Sequence, residues 1–64
     1  MKIHFKFKNK VVINIDEVMF IAVYDETKKI VVIFKNNKEL EIYYKESEAD
    51  LFENDVERLN SYFY

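Results

Sequence analysis

The sequence predicts an α+β fold: an antiparallel β-meander of about five strands, with one C-terminal amphipathic helix packed on one face. Three observations carry this. Residues 28–45, KKIVVIFKNNKELEIYYK, place apolar β-branched and aromatic runs on either side of Asn36-Asn37. Residues 2–8 alternate apolar and polar side chains with period two, the mark of a half-buried strand. Residues 47–63 space their apolar side chains as one stripe of a helix.

Taken in order, Ile3, Phe5 and Phe7 fall on one face of the first strand (2–8), with Lys2, His4, Lys6 and Lys8 on the other. Asn9-Lys10 reads as a two-residue turn into a second strand (11–15). Asp16-Glu17 breaks the apolar run as a turn or bulge. A third strand (18–24) is apolar throughout, and Asp25–Lys28 is a polar hairpin loop. The fourth (29–35) and fifth (39–45) strands flank Asn36-Asn37. Asparagine tolerates positive φ better than other non-glycine residues, so the pair suits a type I′ turn in a chain without glycine. Ser47 is the expected N-cap, with Asp50 completing a capping box. Phe52, Val56, Leu59 and Phe63, extended by Ala49, should then meet Ile3, Phe5, Phe7, Ile30, Val32, Phe34, Leu40, Ile42 and Tyr44.

Residues 1–64 make one small domain, whose core only narrowly offsets the entropy of ordering the chain. Small domains therefore lean on disulfides, metals or partners. Cysteine is absent and histidine occurs once, so neither a disulfide nor a zinc site is expected. A protein partner, or a second copy in a homodimer, is the remaining support. No apolar run approaches the roughly 20 residues of a membrane span. MKIHFKFKNK lacks the apolar core and small-residue cleavage site of a signal peptide. A cytoplasmic protein with no membrane contact is the expectation.

Ile15-Asp16-Glu17-Val18 leading to Ile21, then Ile33–Asn37 with Glu39–Ile42, then Glu46–Ala49 before an amphipathic helix, resembles the small β-meander-plus-helix proteins of Firmicutes and their phages. The resemblance spans about residues 13–63, although those proteins usually carry Asn-Gly where this chain has Asn36-Asn37. They share no activity that carries over. Phage genomes use such small proteins to inhibit host enzymes and defence systems, so the most concrete expectation is a phage-encoded inhibitor of a host nucleic-acid enzyme or defence system, of the anti-CRISPR type. The strand start through Asp16, Val18 and Ile21 is also similar to LytTR-type DNA-binding domains, whose basic contact positions find no match here.

Catalysis is not expected. The hydroxyl residues beside the tyrosines are Thr27, Ser47 and Ser61, and His4, the one candidate base, sits among lysines. A chain this short has little room for a ligand cleft, so no cofactor is expected. The sheet face away from the helix says more. If Ile30, Val32 and Phe34 face the helix, Val31, Ile33 and Tyr43 face away. The third strand adds either Phe20, Ala22 and Tyr24 or Met19, Ile21 and Val23. A solvated face should be polar at these positions, and contiguous exposed apolar residues mark partners. The candidate interface is therefore Phe20, Ala22, Tyr24, Val31, Ile33 and Tyr43; its alternative is a core apolar on both sides.

Two charged features stand beside it, in a chain of net charge −2. Lys2, His4, Lys6 and Lys8 form a basic strip that a nucleic acid would reward through counterion release. Edge strands also carry lysine merely to prevent aggregation, and the chain has one arginine, Arg58. Glu46, Asp50, Glu53 and Glu57 form an acidic stripe roughly opposite the apolar one. Their spacing of about 4.5–6 Å along the axis resembles that of backbone phosphates, while helix-dipole complementarity is the ordinary explanation. The function expected is a non-enzymatic protein-binding module; the alternative is a nucleic-acid binder using the Lys2–Lys10 strip.

Overall fold

A computed structural model describes residues 4–63. The elements are β1 (His4–Phe7), β2 (Val11–Asn14), a 3₁₀ turn (Ile15–Glu17), β3 (Val18–Tyr24), β4 (Lys29–Phe34), β5 (Glu39–Tyr43), a second 3₁₀ turn (Glu46–Glu48) and α1 (Ala49–Phe63). The five antiparallel strands and the C-terminal helix of the α+β reading are all present. The strands divide between two sheets: β1 pairs with β2, and β3, β4 and β5 pair in that order. The 3₁₀ turn after β2 makes the division. Asn14 Oδ1 accepts from the Asp16 N–H (3.0 Å), and the Val18 N–H donates back to the Ile15 carbonyl. This local closure turns the chain away before β3 can pair beside β2. Lys2 and Ile3 lie outside the described residues.

One core joins both sheets and the helix. Phe5, Phe7 and Ile13 from the hairpin meet Val18, Ile30, Val32, Ile42 and Tyr44, and Phe52 and Leu59 of α1 close over them. Phe34, Leu40 and Val56 are half-buried against this core, as expected on the helix-facing side. Tyr44 meets Phe52 edge to face at 5.2 Å, an arrangement the ring quadrupoles favour. The helix stripe gains a member that apolar spacing could not show: Asp55 is fully buried. The Phe63 side chain lies outside the described residues.

Three local readings are corrected. The β4–β5 connection, Lys35–Lys38, holds a three-residue loop, Lys35–Asn37, closed by the Phe34–Lys38 pair, and within it only Asn37 has positive φ (69°). The Asn37 N–H donates to the Phe34 carbonyl and the Phe34 N–H to the Lys38 carbonyl, both at 2.9 Å. This is the turn with a following left-handed residue that is common in three-residue hairpins, not a type I′ pair. In the first hairpin the left-handed residues are Lys8 (53°) and Asn9 (58°), not Asn9 and Lys10. At the helix start Ser47 does not cap. Glu48 reaches back to accept from the Lys45 N–H (2.8 Å), while the Glu48 N–H donates to the Lys45 carbonyl (2.8 Å). With Lys45 rather than Ser47 at the N-cap, Glu48 is the residue three further on that completes the box, and Asp50 does not stand at that position. Among the described residues no helix is long and apolar enough to cross a membrane.

Candidate functional site

The ladder registers decide which residues share the face away from α1. In antiparallel pairing, directly opposed residues point the same way. Phe20 pairs with Ile33, Ala22 with Val31 and Tyr24 with Lys29; across β4, Lys29 pairs with Tyr43, Val31 with Glu41 and Ile33 with Glu39. A bulge between Val18 and Phe20 sets this phase. It sends Ile21 and Val23 to the helix side and settles the two options for β3 in favour of Phe20, Ala22 and Tyr24. All six candidate interface residues thus lie on one face. Phe20, Tyr24 and Tyr43 are 50%, 49% and 59% exposed. Ala22 and Ile33 are half-buried, and Val31, in the middle, is 8% exposed beneath its neighbours.

Two charged residues complete the face. Lys29 Nζ lies 5.0 Å from the Tyr24 ring centroid and 5.7 Å from that of Tyr43, and 3.5 Å from Glu41 Oε1. The Tyr43 hydroxyl donates to Glu41 Oε1 at 3.0 Å. That hydrogen bond, followed by burial and the Glu41 charge, holds the Tyr43 phenol above its ordinary pKa, with Lys29 opposing. The result is an ammonium between two aromatic faces, a geometry that favours a cation. Lys29 and Glu41 were legible by the same period-two count that found Tyr43. Counting only apolar residues on the face left them out.

The basic strip is not free as a row. Lys8 follows the end of β1 in a left-handed conformation and leaves the alternation. Its N–H donates to Asp55 Oδ2 (2.9 Å), its ammonium to the Tyr43 carbonyl (2.8 Å), and the same ammonium lies 3.4 Å from Glu48. His4 and Lys6 remain exposed; Lys2 is outside the described residues. Glu46, Asp50, Glu53 and Glu57 are all exposed and none is in an ion pair among the described residues. The acids do not stand squarely opposite the core. At 3.6 residues per turn, Glu53 and Glu57 fall roughly 60–100° round from Val56. That is the side of Asn60, which with Val56 lines an open groove against Ile21, Val23 and Asp25 of the β3 region.

Asp55 holds the other flank of the helix. Its Oδ2 accepts from the Tyr44 hydroxyl (2.6 Å) and the Lys8 N–H, and its Oδ1 from Arg58 Nη1 (3.0 Å). Arg58 Nη1 also donates to the Lys6 carbonyl (3.1 Å), and its guanidinium lies 4.5 Å from the Phe5 ring centroid. Burial, the hydrogen bond to Asp55 and the Asp55 charge push the Tyr44 phenol well above its ordinary value. This network ties α1 to the first hairpin and to the end of β5. Among the described residues no cluster of three or more acidic or histidine side chains is placed to hold a metal ion. No family model, curated protein or solved structure matches the chain.

Proposed function

We propose that the chain is a non-enzymatic protein-binding module and that the outer face of the β3–β4–β5 sheet is its contact surface. The observation that carries this reading is the set of three half-exposed rings, Phe20, Tyr24 and Tyr43, gathered by three strands around Val31 and Ile33 on the side α1 does not cover. Aromatic side chains such as these are enriched at protein–protein interfaces relative to the rest of the surface. The first partner to test is a second copy. The face carries Lys29 beside Glu41, so a two-fold axis through it sets each charge against its opposite. Wild type should then be dimeric by light scattering at high concentration, and Phe20→Lys should be a folded monomer by circular dichroism and sizing. A monomeric wild type whose outer-face amides also ignore every added protein refutes the reading.

The narrower version is an inhibitor of a nucleic-acid enzyme, of the phage anti-CRISPR type. The unpaired carboxylates of Glu46, Asp50, Glu53 and Glu57 support it, since such a stripe fits a basic groove. A nuclease inhibited by the chain should recover when Glu53 and Glu57 are both replaced by Gln. The nucleic-acid-binding alternative has less support, because Lys8 is spent on Asp55, Tyr43 and Glu48.

A further inference from the structure

The two edges of the three-stranded sheet are built differently. The Tyr44 N–H donates to the Lys28 carbonyl at 2.9 Å, which makes Lys29 and Tyr43 a non-hydrogen-bonded pair. Alternation along the ladders then points the main-chain groups of Glu39, Glu41 and Tyr43 out from the β5 edge, and those of Ile21 and Val23 out from the β3 edge. The Lys35 N–H to Glu17 carbonyl bond (2.9 Å) fixes Val18 and Phe34 as a non-hydrogen-bonded pair, and the bulge restores the phase beyond it. The β5 edge is protected by Glu39 and Glu41, and by Lys8, whose ammonium occupies the Tyr43 carbonyl. The β3 edge, VMFIAVY, contains no charge or proline, and among the described residues no strand lies beside it. An edge left that way is a template for another strand.

We infer that the β3 edge receives an extended, basic segment of a different protein, which hydrogen-bonds to the peptides of Ile21 and Val23 and adds a strand to the sheet. Such a strand lays alternate side chains into the groove lined by Ile21, Val23, Val56, Asn60 and Asp25. Charge selects the occupant. Asp16 and Glu17 stand at one end of β3, Asp25 and Glu26 at the other, and Glu53 and Glu57 lie on the groove side of α1. Pairing β3 with a second β3 would set the acids of one copy beside those of the other at both ends, which is destabilising. A segment with apolar residues at its centre and lysine or arginine at its ends meets the acids at both ends of β3, and its positive charge suits Glu53 and Glu57 on the groove side of α1. This surface goes beyond the outer-face reading, and its test reads different amides.

The probe is a nine-residue peptide, KKVTVTVKK, titrated into the full chain at low salt, with amide hydrogen exchange followed by NMR. The Ile21 and Val23 amides should exchange freely in the chain alone and slow by about tenfold or more on saturation. The same peptide with every Lys replaced by Glu should bind at least about tenfold more weakly. A version N-methylated on its central amides should lose the protection. Val23→Pro removes an outward N–H while leaving the β3–β4 ladder intact, so it should fold and lose binding. If that variant fails to fold, the N-methylated peptide decides the same point. Binding without slowed Ile21 and Val23 amides, equal binding of the acidic peptide, or no binding of the basic one overturns the inference. Slow Ile21 and Val23 amides in the chain alone that quicken on dilution also overturn it, and assign the edge to a second copy.

Discussion

Replacing Asp55 by Ala should cost a large part of this domain's stability. The carboxylate is fully buried, which is unfavourable in itself and is offset by three donors: the Tyr44 hydroxyl, the Lys8 N–H and Arg58. Alanine leaves the first two without an acceptor, at about 1–3 kcal/mol each. Arg58 contributes less to the loss, because its side chain is 39% exposed and turns to water. The total is roughly 4 kcal/mol, in a domain for which even the ordinary range starts near 5 kcal/mol. At about 4–8 °C per kcal/mol for this size, Asp55→Ala should lower Tm by roughly 15–30 °C. Asp55→Asn keeps one carbonyl oxygen able to accept from both Tyr44 and Lys8, so it should cost only about 1–2 kcal/mol. Thermal melts and urea titrations followed by circular dichroism give both values. A Tm within about 5 °C of wild type for Asp55→Ala would refute the claim that this carboxylate ties helix to hairpin.

Asn37 sits at φ 69°, so Asn37→Gly should be neutral or stabilising, while Asn37→Val should cost about 1–2 kcal/mol; equal melting temperatures would overturn the turn assignment. Folding raises the pKa of the Tyr44 phenol above its ordinary 10.0, so the unfolded chain ionises there first. The stabilisation is complete below about pH 10 and is lost as pH rises further. Tyr44→Phe should therefore be less stable at neutral pH by about 1–2 kcal/mol, yet lose less between about pH 10 and 11 in paired urea titrations.

The fold was legible where a periodicity carries one face of an element. Phe5 and Phe7, Ile30 and Val32, and Ile42 and Tyr44 each follow from period two, and Phe52 and Leu59 from helical spacing; all are buried. What escaped was decided by hydrogen bonds rather than by hydropathy. Asp55 reads as one acid among six between residues 46 and 57 until the hairpin N–H and the Tyr44 hydroxyl are brought to it. Lys8 reads as the last lysine of a basic row, but its left-handed backbone turns it inward. The candidate face was legible in β4 and β5 but not in β3, where both faces are apolar. There the bulge beside Met19 makes the choice, and nothing in VMFIAVY marks it.

Dimensions set how the outer face and the β3 edge would work together. Three strands about 4.8 Å apart and six residues long span roughly 14 by 20 Å, a projected area of about 300 Å². A stable complex takes about 800 Å² from each partner. A second copy stacked on the outer face alone would therefore make a weak, dilutable contact, and a tight one would have to continue past the sheet's boundary. It cannot continue past β5, where Glu39, Glu41 and the ammonium of Lys8 hold the edge. It can continue past β3, whose Phe20 and Tyr24 belong to the face while the peptides of Ile21 and Val23 open onto the edge. On this geometry β3 is the strand through which a larger protein partner of the proposed kind would gain area, and a single chain covering both surfaces should bind more tightly than either a stacked copy or an added strand.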